Sequence, residues 1–263
     1  MSLPFFEDHP AALAHRGFSR EGLENSMAAF RAAVELGYRY LETDVHTTSD
    51  GVPHLFHDST LERVTGSPGR ISGLTAEQVA EARIGGTEQV PRLDALLLEL
   101  PEALLNLDVK DWNSVVAVAA VIERRQAHHR VLVTSFSDRR RRAVLKRLSR
   151  PVASSAGLGL SAVFTLLGPA LPAPVFRRVM PRILHDVHAL QVPVRYGPVR
   201  VATPGFIRRA HSLGLVVHCW TINDPGEMRR LLDLGVDGIV TDRADLLRDV
   251  LMERNQWPDG PVR

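Results

Sequence analysis

Apolar positions fall into short runs of β type that alternate, from end to end, with longer stretches whose apolar residues recur every three or four positions. The β-type runs are AALAH (11–15), YRYLETDV (38–45), LLNLDVK (104–110), VLVTSF (131–136), PVASS (151–155), HALQV (188–192), LVVHCWT (215–221) and DGIVTD (237–242). The helical stretches include ENSMAAFRAAVELG (24–37), SVVAVAAVIERRQ (114–126), DRRRRAVLKRLS (138–149), TPGFIRRAHSLG (203–214) and DPGEMRRLLDLG (224–235). Strands alternating with helices build a parallel sheet with crossover connections. Eight strands predict an α/β chain folded as a (β/α)8 TIM barrel, whose chemistry lies at the C-terminal ends of its strands. An open doubly wound sheet is the competing architecture, and no GxGxxG fingerprint supports it.

VPHLFHD (52–58) reads as a ninth strand. The TTSDG linker before it cannot cross to a parallel neighbour, which takes about a dozen residues or more. The segment therefore forms a β-hairpin extension after strand 2, with Asp50-Gly51 as the turn, and brings His57 back toward the mouth of that strand. A second departure is the run 151–176, which contains no charged residue and leads into an apolar insert at about 156–186 between strands 5 and 6. Proline and glycine interrupt it, so its unbroken apolar part falls short of the roughly 20 residues of a membrane span.

Composition changes this picture little. At 263 residues the chain is long enough for one large core, and one catalytic domain over 1–263 is expected. A net charge of +2 is far from that of a protein that coats nucleic acid. The sole cysteine, Cys219, excludes an intrachain disulfide, and the first residues lack the basic and apolar regions of a signal peptide. A cytoplasmic protein, at most peripheral to a membrane, is expected.

Chemistry concentrates in LETDVHTTSDGVPHLFHD (41–58). Alternate side chains of a strand share a face, so Glu42 and Asp44 point the same way, as do Asn106, Asp108 and Lys110. If Glu42, Asp44 and Asp108 converge at the barrel mouth, they form a hard-oxygen cage suited to one divalent cation, Mg²⁺ or Ca²⁺. Read alone, a pair such as Glu42 and Asp44 is more often an ordinary ion-pair partner for arginine than a metal site. Lys110 is one of only two lysines among 32 basic residues, and beside Asp108 it offers a point charge to a phosphate oxygen. His15-Arg16-Gly17 ends the first strand. Arg16 suits bidentate phosphate contact, and His15 with His57 supplies the acid and base that phosphodiester cleavage requires.

These motifs, HRG, ENS, ETDVHTTSDGVPHLFHD, LNLDVK, TSF, HCWTIND and GVDGIVTD, run in order from residue 14 to 242, and the chain resembles the glycerophosphodiester phosphodiesterase family. The resemblance implies a barrel that hydrolyses small-molecule glycerophosphodiesters to glycerol 3-phosphate and an alcohol with a divalent metal. It implies His15 and His57 as the acid/base pair, Arg16 as the phosphate-binding arginine, Glu42 and Asp44 as metal ligands, Lys110 as the substrate-side lysine and Trp220 as an aromatic wall. Asp108 stands where the family usually has glutamate, and Ser26 where it has threonine. Glu24 and Asn25 are expected to start a helix or support the site.

The insert has two readings: a locally packed, partly helical elaboration, or an apolar lid that presents the mouth to lipid with Arg177, Arg178 and Arg182 beside anionic head groups. Under the second, the substrate is a lysophospholipid and the enzyme a lysophospholipase D. A barrel that binds glycerophosphodiesters or lipid without turnover is the non-enzymatic alternative.

Overall fold

The computed structural model describes residues 4–7, 10–19 and 21–257, so both ends of the expected 1–263 domain, with residues 8, 9 and 20, lie outside the described residues. Eight parallel strands form the barrel: β1 (Ala11–His15), β2 (Tyr40–Thr47), β3 (Leu104–Val109), β4 (Val131–Thr134), β5 (Ala153–Ser154), β6 (Ala189–Pro193), β7 (Val216–Trp220) and β8 (Gly238–Thr241). Pairing runs β5-β4-β3-β2-β1-β8-β7-β6. A parallel bridge between Ser155 and Ala189 joins the two ends and nearly closes the cylinder. The open doubly wound alternative is thereby excluded. Strand ends differ from the expected ones by up to a few residues, because hydrogen bonding to neighbours rather than apolar composition sets where pairing stops.

The register explains how so much charge sits on scaffold. His15 pairs with Glu42, Glu42 with Asn106, and Asp44 with Asp108, while one step lower Leu13 pairs with Tyr40 and Tyr40 with Leu104. Side chains alternating inward therefore fill the lower barrel with Leu13, Tyr40, Leu104, Leu132 and Val240, closed from below by Phe5. The upper layers carry the polar groups. The intervening outward residues, among them Leu41, Leu105, Val133, Val217 and Ile239, pack beneath the helices in the main hydrophobic core.

Those helices are α1 (Met27–Glu35), α2 (Leu93–Glu99), α3 (Ser114–Arg124), α4 (Asp138–Leu145), α5 (Leu158–Leu167), α6 (Ala173–Ile183), α7 (Pro204–His211), α8 (Pro225–Asp233) and α9 (Ala244–Glu253). Side-chain caps start several: Ser26 accepts from Ala29 N, Ser137 from Arg140 N, Thr203 from Phe206 N and Asp224 from Glu227 N. Between β1 and α1 the chain turns through left-handed Arg16 (φ 56°) and Gly17 (φ 83°). A Cβ on Gly17 would lie 2.6 Å from the Ala29 carbonyl carbon, so only glycine permits this close approach.

The hairpin forms as expected, with Val45 opposite Leu55 and Thr47 opposite Pro53. It then continues further than its sequence pattern suggests, into an excursion with its own small core of Phe56, Leu61, Ile71, Val79, Ile84 and Val90. The insert is a helical pair, α5 and α6. Phe164 anchors it, with ring centroids 5.8 Å from Phe176 and 5.0 Å from Phe206 of α7. The packed, helical reading therefore describes its inner side. Among the described residues no helix is long and apolar enough to cross a membrane.

Candidate active site

A cavity of about 230 Å³ opens at the C-terminal ends of the strands, and all eight residues singled out from the sequence line it: His15, Arg16, Glu42, Asp44, His57, Asp108, Lys110 and Trp220. Its two sides differ. The C-terminal ends of β1 to β3, the residues just after them and the hairpin supply the charged groups, whereas the ends of β6 and β7, the start of α5 and the loop after β4 contribute Pro193, Trp220, Leu158 and Phe136. Phe136 and Trp220 meet edge to face, with centroids 6.0 Å apart.

Each histidine is held through Nδ1 by a carboxylate: His15 by Asp242 at 2.5 Å and His57 by Asp58 at 2.7 Å. That pairing favours the tautomer with the proton on Nδ1 and leaves Nε2 free to exchange protons. His15 Nε2 lies 3.8 Å from Glu42 Oε2. Burial alone would lower the His15 pKa, but Glu42 and the hydrogen bond to Asp242 outweigh it and the value is raised. His57 is placed from behind as well. His46 Nε2 stands 3.2 Å from the His57 carbonyl oxygen, and its Nδ1 2.7 Å from Asp111.

Lys110 Nζ sits between two carboxylates, 2.7 Å from Asp44 and 2.6 Å from Asp108. Arg16 Nε is 3.2 Å from the other Asp44 oxygen, and its Nη1 donates to Glu24, which also pairs with Arg63. Asn25 donates to Asp44 and accepts from Thr43, giving Glu24 and Asn25 the supporting positions expected of them. Burial tends to raise the Asp44 pKa, but Lys110 and Arg16 together bring it below the usual range. Burial, reinforced by Asp44, pushes Glu42 up to about 7. Asp108 is also raised, chiefly by burial.

Among the described residues no group of three histidine, cysteine or acidic side chains is gathered as a ready metal cluster. The donor set nonetheless suits a hard cation. Glu42, Asp44 and Asp108 offer only oxygen, and the buried Oδ1 atoms of Asp108 and Asn106 have no hydrogen-bond partner. Arg16 and Lys110 pair with Asp44, and Lys110 also with Asp108, while Glu42 faces the His15 ring at 3.8 Å.

Asp242 and Asn106 escape sequence reasoning as site residues. Asp242 ends the run DGIVTD, and a carboxylate at the C-terminal end of a barrel strand is the one signal that points to it. Its partner His15 is 227 positions away.

A cavity at the mouth of a (β/α)8 barrel, with two carboxylate-backed imidazoles, an arginine and a lysine, defines a hydrolase-like site for an anionic ester. The pattern of the glycerophosphoryl diester phosphodiesterase family matches residues 15–246, and the chain belongs to that family. It is 45% identical over 251 residues to the Mycobacterium tuberculosis "Probable glycerophosphodiester phosphodiesterase 2", covering 95% of this chain and 93% of that one. It is 28% identical to the human lysophospholipase D GDPD1, over 91% and 85% of the two chains. Among solved structures, the glycerophosphodiester phosphodiesterase of Agrobacterium tumefaciens superposes with a TM-score of 0.75 at 25% identity, over 92% of this chain and 99% of that one. An Oleispira antarctica phosphodiesterase in complex with the product sn-glycerol-3-phosphate superposes with a TM-score of 0.74 at 21% identity, over 93% and 97%.

Proposed function

We propose that this enzyme hydrolyses glycerophosphodiesters to glycerol 3-phosphate and an alcohol by two-histidine acid/base catalysis, with one divalent cation, Mg²⁺ or Ca²⁺, held by Glu42, Asp44 and Asp108. The observation that carries this reading is the approach of His15 and His57 to one cavity that also presents Arg16 and Lys110. The names of the relatives support the substrate class, and the product bound in the Oleispira protein is the one this reaction releases.

Arg16 and Lys110 offset charge on the phosphoryl oxygens as it grows toward the transition state. A bound cation supplies further electrostatic stabilisation of the same oxygens. One imidazole takes a proton from the attacking hydroxyl and the other gives a proton to the departing alkoxide. Asp58 and Asp242 orient the two rings and stabilise them when protonated. Trp220 and Phe136 form the wall against which the carbon parts of the substrate lie.

The test is release of glycerol 3-phosphate from glycerophosphocholine, glycerophosphoethanolamine, glycerophosphoinositol and glycerophosphoglycerol, and of lysophosphatidic acid and choline from lysophosphatidylcholine, each with Mg²⁺, Ca²⁺ or chelator. Turnover of at least one diester that chelator abolishes and either cation restores is expected. Binding without turnover would instead favour the non-catalytic barrel. A lysophospholipase D activity is the second reading, favoured by the human relative of that name, and the lysophosphatidylcholine arm decides it.

A further inference from the structure

Residues 139–185 contain no aspartate or glutamate and ten arginines and lysines, the longest stretch of one sign in the chain. Its distal part is the α5/α6 insert, which leaves the C-terminal end of β5, so that Leu158 and Ser161 of α5 already line the cavity. Phe176 and Met180 of α6 are buried, one turn apart. Val175, Arg178, Val179 and Arg182, at i, i+3, i+4 and i+7, share the opposite, exposed face. On α5, Leu166 is 65% and Leu167 50% exposed. Among the described residues Arg177, Arg178 and Arg182 pair with no carboxylate, and all three are exposed.

An exposed apolar surface of this kind is unusual for a protein wholly surrounded by water. Further exposed apolar residues lie in the loops that leave the C-terminal ends of neighbouring strands: Trp112 and Phe136 at 54% and Tyr196 at 64%. The apolar positions thus gather on the mouth side of β3 to β6, and unpaired guanidinium groups accompany them. A protein partner with an acidic patch would match the charge but would require a shaped apolar counterpart. A fluid anionic surface accepts scattered leucines and valines and rewards each neighbouring cation.

We infer that α5 and α6 dock on an anionic phospholipid bilayer, with the leucines and valines at the acyl boundary and Arg177, Arg178 and Arg182 among the head groups, so that the catalytic mouth opens beside the membrane. The inference goes beyond the hydrolytic reading and does not depend on which groups move protons.

Sedimentation of the full chain with vesicles tests it. Wild type is expected to pellet with equimolar phosphatidylglycerol and phosphatidylcholine, to do so less as salt rises, and to remain in solution with phosphatidylcholine alone. Replacing all three arginines, Arg177→Gln, Arg178→Gln and Arg182→Gln, should lower partitioning roughly 100-fold, the loss of three near-surface cations. Leu166→Ser with Leu167→Ser should lower it about tenfold or more. Both variants should keep the wild-type melting temperature and wild-type turnover of water-soluble glycerophosphocholine. Wild type that stays in the supernatant, or variants that sediment as wild type does, would overturn the inference. So would a stable dimer in light scattering that the leucine variant dissolves, which assigns this face to a second copy. Because the readout is binding, an inactive enzyme that still follows this pattern would refute the catalytic reading alone.

Discussion

Two clusters of buried charge sit on opposite sides of the functional question. Behind β5, Asp186 has a donor at every oxygen: Arg141 Nη2 and Arg142 Nη2 to Oδ1, Arg142 Nε to Oδ2, and Arg141 Nη1 with Ser154 Oγ to the carbonyl. Burial would raise the Asp186 pKa, but the two guanidinium groups bring it down to about 2. In the lumen, Asp44 and Asp108 share Lys110, Asp108 Oδ1 has no donor, and Glu42 stands at about 7. Burial is common to both, so burial does not mark a working site. The acceptor oxygens do: those of Asp186 are finished by the protein, although Arg141 Nε lacks a partner, whereas Asp108 Oδ1 and Asn106 Oδ1 in the lumen are left open to ligands.

The contrast predicts opposite responses to substitution. The largest effect on stability is expected from Arg141→Met, because Arg141 is fully buried and its loss removes donors to Ser154 Oγ and to Asp186; denaturant titration should show about 3 kcal/mol lost. The folded variant should keep normal turnover. His15→Ala and His57→Ala should each lower kcat about 100-fold or more while leaving the unfolding midpoint nearly unchanged. Near-full activity in either variant would defeat the assignment of that histidine.

A smaller effect comes from acid. The folded Asp186 value of about 2 lies below the ordinary 3.8, so its contribution is complete above about pH 4 and is lost as pH falls through 2. For a half-buried carboxylate screened by solvent, about 1 kcal/mol is at stake. Thermal melts of wild type and Asp186→Asn should converge over that interval. The smallest change in stability is expected for Glu42→Gln, which removes a buried negative charge next to Asp44. In chelator its melting temperature should equal or exceed that of wild type, although hydrolysis falls. A clear drop would mean that Glu42 belongs with the finished cluster.

Much of the fold was legible because a barrel strand obeys two simple periods at once. The outward residues of β3, Leu105, Leu107 and Val109, are all apolar, those of β2 include Leu41 and Val45, and the inward ones switch from Tyr40 and Leu104 to Glu42, Asp44 and Asp108 where the cavity begins. The hairpin was legible for a different reason, since its linker is too short for any other route. Asp242 and Asp186 were not, because each gains its meaning from a partner brought near only by folding. The sequence pattern places neither helix of the insert individually, and the second is hidden for a local reason. Pro172 and Pro174 resemble breaks in an apolar run, yet they stand at the cap and first turn of α6, where a missing N–H is harmless. The sequence points to Lys110 as a phosphate contact. Its resting partners, Asp44 and Asp108, could not be inferred from spacing alone.

The lopsided lining of the cavity gives the fold a practical latitude. Groups suited to gripping phosphorus come from one arc of the cylinder, while Phe136, Leu158, Pro193 and Trp220 form the other. A descendant could therefore exchange the alcohol it releases by changing a few residues on the apolar arc, with the chemical engine left intact.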